Sequence, residues 1–474
     1  APVVWLNSLP AAYNTYLFLA IILNCSCGYM FLRQTRCSIL PALFGGLAIG
    51  LHPLALSNLE AIQLVPLWGI LLTLGSILRL HQTPNAKSTV MLAASFIITV
   101  MLCIHHALFL ALLLPVCLAT LSIHNTKKQR HRFAVALAIA ALLCTICIGP
   151  FLWQMHQAHN QEGFDRSLDS VRVLSASWRD WTPSACFVSF ENLTGKTLLP
   201  GWLRLCLAVA AILLTQKRRR ATNHFLVGLT VCSILFSFGA NIAIGDWSLW
   251  ESVSSFLSPL SRVRSPYRFA YFAQLGVLLL AAHGVNELFR RRQVLLNLAQ
   301  RNRKFAKWKF LVTPACALAS IILCFEVPPP KNFLSHPPLQ IHSPAWVEFV
   351  KTNSEPTDSL LCLPVCRDAS EWSHETSTRW MLYGVQHQRP ILNGYSGFAP
   401  KTWIKLRKEL RKSKWPPDVF SQLREKRTKF IVVNKDTNRV NLQQYTDELK
   451  QVADYDRFSV WQLTSKPVQP HPEP

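Results

Sequence analysis

Three arginines, Arg262, Arg264 and Arg268, stand in the run SPLSRVRSPYRF, directly before an apolar stretch that begins at Phe269. A guanidinium is a permanent cation whose planar fork meets two phosphate oxygens at once. Tyr267, set among them, is a residue type that settles at the headgroup level of a bilayer. The segment therefore suits an anion held at a membrane surface. Two occupants compete on these residues alone. One is the phosphate of a bound substrate; the other is ordinary lipid headgroups, with internal pairing to Asp246 and Glu251 of the same loop.

A second set lies in HPLALSNLEAIQ, where His52, Glu60 and Gln63 fall at the lip of an apolar run. A carboxylate there either contacts an acceptor group or a divalent cation, or begins a helix and is satisfied by its dipole. His105 and His106 fall at the same level. Histidines with a carboxylate hold metals, but adjacent histidines on one helix chelate poorly, and no metal site is assigned. The stretch RSLDSVRVLSASWRDWTPS mixes Asp169 and Asp180, just after Asp165, with Trp178 and Trp181. That composition fits a sugar pocket or a helix lying in the membrane interface. In NGYSGFAP, residues 393–400, the glycines favour a tight turn; the alternative is a closing loop that presents Tyr395 and Phe398. ENLT, 191–194, is a glycosylation sequon by pattern, with meaning only in a eukaryotic secretory pathway.

The elements that must position these groups are apolar. Of 474 residues, 50% are hydrophobic and only 16% charged, against about a quarter in soluble domains. Mean hydropathy is +0.21. The net charge of +24 raises nucleic acid as a partner. No zinc-finger, RRM-like or basic-zipper pattern accompanies it, and the cations cluster between apolar runs, which excludes nucleic acid in favour of membrane topology. Most of the 14 cysteines lie inside apolar runs, where a thiol behaves as a small hydrophobe. CLPVC, 362–366, reads as part of a buried strand rather than a disulfide or metal motif.

Ten runs are long or apolar enough to be spans: 11–32, 38–53, 61–80, 88–104, 107–123, 133–153, 200–215, 222–245, 269–289 and 310–327. Alternate loops then separate by charge. One set, including KKQRHR, KRRR and 290–309, holds 20 lysines and arginines; the other, 54–60, 105–106, 154–199 and 246–268, holds seven. The positive-inside rule puts the first set in the cytoplasm and the chain after 328 outside. The expected architecture is an all-α polytopic membrane bundle over 1–327, with outer loops 154–199 and 246–268. It continues into a Pro-rich linker at 328–340, a small α/β extracytoplasmic domain at 341–465, and a disordered tail at 466–474. In that domain, helices are predicted over 344–353, 370–388, 400–412 and 416–426, strands over 359–365 and 429–433, and a hairpin over 451–463.

Several stretches resemble a known group. LPAAYNTYLFLAIILNCSCGYMFLR (9–33), GLAIGLHPLALSNLEAIQLVPLWGILLTL (47–74), the segments at 166–184 and 198–213, LSPLSRVRSPYRFAYFAQLGVLLLAAHGVNEL (257–288) and HQRPILNGYSGFAP (387–400) carry the likeness. They resemble bacterial polytopic proteins of the C-type (GT-C) membrane glycosyltransferase superfamily, of the YfhO-like and dolichyl-phosphate-mannosyltransferase-like kinds. The likeness runs over nearly the whole chain without a diagnostic catalytic signature. It implies a sugar transferase at the outer membrane face, using a polyprenyl-phosphate donor and a cell-envelope glycan or protein acceptor. On that reading Arg262, Arg264, Arg268 and Tyr267 hold the donor phosphate, and Glu60, His52 and Gln63 contact the acceptor or a cation. The catalytic acid of such enzymes lies in the first outer loop; the chain, beginning at Ala1, is read as lacking that N-terminal part, so the catalytic residue is unknown. No cofactor is assigned, and a divalent cation stays an open option. The alternative is a non-catalytic membrane protein of the same fold, with a binding or assembly role in envelope biosynthesis. A transporter fits less well, since no internal repeat is present.

Overall fold

The computed structural model describes residues 9–59, 61–123, 126–162, 168–182, 198–215, 219–245, 247–257, 260, 263–301, 308–327, 343–365, 371–394, 400–438 and 440–464. Arg262, Glu60, Asp165, Asp246, the sequon, Tyr395, Phe398, Cys186, Cys366 and 466–474 lie outside these residues, as does nearly all of the proline-rich segment. The chain divides into two compact units. The first comprises 1–156 with 165–337, the second 338–474 with 157–164.

The first unit is helical. Its elements are α1 (Leu9–Gln34), α2 (Ile39–Gly50), α3 (Pro53–Leu56), α4 (Trp68–Gln82), α5 (Ala86–Leu102), α6 (Ile104–Ser122) and α7 (Lys127–Glu162). Short α8 (Leu168–Val173) and α9 (Trp178–Trp181) precede α10 (Trp202–Leu214) and α11 (Arg220–Ser237). A two-stranded ribbon, β1 (Ala243–Ile244) and β2 (Trp247–Ser248), leads to α12 (Leu249–Phe256), α13 (Ala270–Arg301) and α14 (Trp308–Phe325).

Among the described residues, six segments are long and apolar enough to cross a membrane: Ala11–Gln34, Ile39–Leu56, Ile62–Gln82, Ile104–Ser122, Lys127–Ala158 and Pro266–Arg292. Ala86–Leu102, Trp202–Leu214 and Pro314–Phe325 are shorter apolar helices. The expected span 222–245 ends as a helix at Ser237, and the expected span 133–153 continues as helix to Glu162. Phe18, Ile22, Met30, Leu142, Ile146 and Leu213 face outward. Water would penalise such a surface, whereas lipid tails solvate it. The chain is a multi-pass membrane protein.

The helix α13 forms the centre of this unit, its apolar span wholly buried and packed by α2, α10, α11 and α14. Close approach requires small residues. A Cβ on Gly284 would stand 2.0 Å from the Leu207 carbonyl oxygen of α10, so glycine lets the two backbones touch. The 61–80 run is not one helix. A 3-10 turn, Ile62–Leu64, precedes Pro66 and α4. Asn24, buried in α1, satisfies that break: its amide donates to the Val65 carbonyl (2.9 Å) and accepts from the Leu67 and Trp68 N–H groups (2.8 Å each). Irregular backbone at membrane depth persists only when protein supplies such partners.

The bundle's two ends differ in chemistry. At one, Glu287 is fully buried between Arg219 (3.2 Å) and Arg290 (2.7 Å), and Arg219 also donates to the Arg36 carbonyl (2.7 Å). His283 bridges Thr35 (2.9 Å) and Asn223 (2.7 Å) just inside it. The opposite end gathers 52–58, 103–106, 174–181, 198–204, 237–241 and 263–274, and it holds the candidate site.

The second unit is a small α/β sandwich. A four-stranded sheet runs in the order β3 (Ser359–Leu363), β4 (Thr428–Asn434), β6 (Phe458–Leu463), β5 (Leu449–Asp454). The pair β3–β4 is parallel; β4–β6 and β6–β5 are antiparallel. Alternation splits its side chains between two cores. Leu360, Cys362, Phe430 and Val432 meet Trp346 and Val350 of α15 (Ala345–Asn353) and Trp380 of α16 (Glu371–His387). Leu361, Leu363, Ile431 and Val433 meet Leu406 and Leu410 of α17 (Lys401–Leu410) and Val419, Phe420 and Leu423 of α18 (Pro417–Glu425). Parallel β3 and β4 are buried on both faces at 360–363 and 430–433, and those residues are all apolar for that reason. The Cys362 thiol, fully buried, has its pKa pushed up by desolvation and acts as core packing.

Candidate membrane-end anion site

The segment before α13 enters as a 3-10 turn, Pro266–Phe269, whose proline presets the first dihedral and needs no N–H partner. Phe269 stacks on Phe109 of α6 with centroids 4.0 Å apart and on Phe236 of α11 at 5.3 Å. These rings pin the start of α13 between two neighbouring helices. Tyr267 is tied on both sides: its N–H donates to the Leu174 carbonyl (3.2 Å) and its hydroxyl reaches Asn58 Oδ1 at 3.5 Å.

Arg264 and Arg268 are half-buried on this turn. Arg268 Cζ lies 6.0 Å from the Tyr267 ring centroid. Its Nε is buried and, among the described residues, has no hydrogen-bond partner. Among the described residues, neither arginine has a carboxylate partner. The N–H groups that open α13 add a partial positive charge at the same place. Among the described residues, this corner is cationic with no carboxylate bound to either guanidinium.

His52 lies below it, fully buried. Its Nδ1 accepts from the Ala55 N–H (3.2 Å), capping α3, so Nε2 is the donor toward the Tyr271 carbonyl at 3.3 Å. The imidazole stacks on the Tyr271 ring, 5.7 Å between centroids and 4° from parallel, and the Tyr271 hydroxyl donates to the Leu54 carbonyl (3.1 Å). Together they clamp α3 to α13. His106 packs against Tyr271 (5.6 Å) and Phe272 (6.0 Å), within electrostatic reach of Arg268, with no well-formed hydrogen bond to either ring nitrogen. Gln63 is exposed. Among the described residues no group of three or more His, Cys, Asp and Glu is gathered as a metal site.

Two charged residues that the sequence left unused stand at the same end. Glu326, after α14, accepts from the Leu203 and Arg204 N–H groups (2.7 and 2.8 Å) at the start of α10. The fully buried Arg204 guanidinium donates to the carbonyls of Leu323, Cys324 and Pro200, each at 3.0 Å. Arg204 is thus consumed by backbone, in contrast to Arg268. An arginine inside the apolar run WLRLCL was the available signal. Asp180 is also engaged, accepting from the Ser177 N–H (2.6 Å) and hydroxyl (3.0 Å). Trp178, 73% exposed beside Phe238, and buried Trp181 do not share one pocket face.

No curated protein matches the sequence. Among solved structures, the chain is similar to the crystal structure of ArnT from Cupriavidus metallidurans bound to undecaprenyl phosphate. The identity is 14% and the TM-score 0.47, over 95% of this chain and 84% of that one. The match of residues 5–300 to the family model described as domain of unknown function DUF6311 takes in most of the helical unit, and the chain belongs to that family.

Proposed function

We propose that the chain is an integral membrane glycosyltransferase of the GT-C kind, moving a sugar from a polyprenyl-phosphate donor to a cell-envelope acceptor at the outer membrane face. On this reading the arginine-poor end of the bundle is extracytoplasmic, the ten apolar runs all take part in the bundle, and the second unit is also outside. Arg264 and Arg268, with Arg262 and Tyr267 of the same sequence segment, hold the donor phosphate. The observation that carries the reading is the contrast between arginines. Buried Arg204 is met by three carbonyls, whereas among the described residues the enclosed Nε of Arg268 has no partner and no carboxylate balances it. As the glycosidic bond to phosphate breaks, negative charge grows on the leaving oxygen, and fixed guanidinium donors lower that barrier. Incorporation of labelled sugar from a polyprenyl-phosphate donor, in membranes holding the protein, tests this. Arg264→Ala and Arg268→Ala should each cut transfer by about tenfold or more; unchanged transfer in both removes the assignment.

A second reading, a non-catalytic protein of the same fold, is favoured by the carboxylates. Among the described carboxylates at this end, Glu326 and Asp180 are engaged in caps and Asp169 and Glu251 are exposed, so none of them is an enclosed, unengaged base for the acceptor hydroxyl. Binding of the lipid without any transfer selects this reading.

A further inference from the structure

Helix α17 presents a face that the transferase reading leaves idle. Leu406 and Leu410 turn into the core of the second unit. Lys401, Lys405, Lys408 and Lys412, three or four residues apart, form one stripe on the opposite side, all exposed, with exposed Arg411 and Lys414 beside them. The helix has one carboxylate, Glu409, and Lys412 takes it at 2.5 Å. Among the described residues, Lys401, Lys405 and Lys408 have no acidic partner. Like charges at these spacings destabilise a helix, so the stripe opposes the fold unless something anionic covers it. Within the stripe Ile404 is 47% exposed.

We propose that this face of α17 binds the anionic headgroups of a lipid bilayer. Lysines on an amphipathic helix are drawn to an anionic leaflet, each adding to the attraction within a Debye length of the surface. Ile404, set between Lys401 and Lys408, can enter the acyl boundary. A soluble polyanion gives that apolar group nothing to enter, which favours lipid as the occupant. The unit is covalently joined to a membrane-spanning bundle, so a bilayer is present at high effective concentration and weak contacts suffice. This inference stands whether or not the bundle transfers sugar.

The test uses the full chain in nanodiscs of phosphatidylcholine alone, or with phosphatidylglycerol added, and follows amide hydrogen exchange over 401–412. Phosphatidylglycerol should slow exchange by at least about threefold, and raised salt should reverse it. A variant carrying Lys401→Gln, Lys405→Gln and Lys408→Gln should exchange alike in both discs; exposed lysines leave the core intact, and unchanged exchange over β4 and β6 confirms it. Equal exchange of the wild type in the two discs overturns the proposal. So does slowing by soluble polyphosphate in phosphatidylcholine discs with none from phosphatidylglycerol, which would make the partner an anionic polymer.

Discussion

Arg204 and Glu326 trade helix caps: the carboxylate closes the N-terminus of α10, and the guanidinium closes the C-terminal end of α14. Each charge is met by backbone groups that a membrane would otherwise leave unsatisfied. Removing one partner strands one helix end and takes the balancing charge away from a buried ion. Glu326→Ala should therefore cost about 3 kcal/mol or more, read as a lowered Tm of the full chain in detergent. Glu326→Gln, which keeps one acceptor oxygen, should cost clearly less.

Gly201 is fitted to that same cap. Its φ is +116°, and an added Cβ would stand 2.4 Å from a Glu326 carboxylate oxygen. Gly201→Ala therefore combines backbone strain with displacement of the carboxylate. A loss of about 2 kcal/mol is expected, and thermal unfolding beside Glu326→Ala checks it. The double variant should lose less than the sum of the two single changes, because displacement of the carboxylate is common to both while the backbone strain at residue 201 is not.

Arg268 and Arg204 should separate function from stability. Arg204→Leu removes three carbonyl contacts and should lower Tm sharply. Arg268→Ala relieves an unpaired buried donor, so Tm should hold or rise while transfer or lipid binding falls. Equal destabilisation by both changes would assign Arg268 to the scaffold instead.

In the second unit, His387 gives a pH signature. Burial, with Arg389 nearby, lowers its pKa to about 4 from the ordinary 6.5. Its Nδ1 accepts from the Arg389 N–H at 3.0 Å, and its ring lies 5.8 Å from Trp346. Because the folded form refuses a proton that the unfolded chain accepts, this contribution is complete above pH 6.5. It is lost as pH falls toward 4, with a slope of at most about 1.4 kcal/mol per pH unit. Tryptophan-monitored unfolding of the full chain from pH 8 to pH 4 should show the decline, and His387→Asn should flatten that part of it.

The second unit was the more legible one in sequence. The short continuous apolar runs SLLCL and KFIVV, and the proline at 400 ahead of a helix, placed its elements within a few residues of those observed. In the helical unit, hydropathy marks where lipid ends rather than where a helix ends. The polar run QMHQAHNQE therefore continues α7 to Glu162 past the expected 153. Gly239, at φ +46°, stops the 222–245 run early. The arginine turn before α13 was visible as a charge anomaly. Which arginine is spent and which is spare was not, because Arg204 finds its carbonyls on a helix about 120 residues away.

Asn393 has a further bearing on how the second unit keeps company with other chains. Its amide exchanges bonds with the Cys362 N–H and carbonyl (2.9 and 2.5 Å), and Leu360 is bonded alongside to Pro390 and Leu392. A side chain here does the work of an extra strand and plugs one rim of the sheet. Among the described residues this leaves the β5 rim for strand addition, so an assembly built by edge pairing there would grow in one direction.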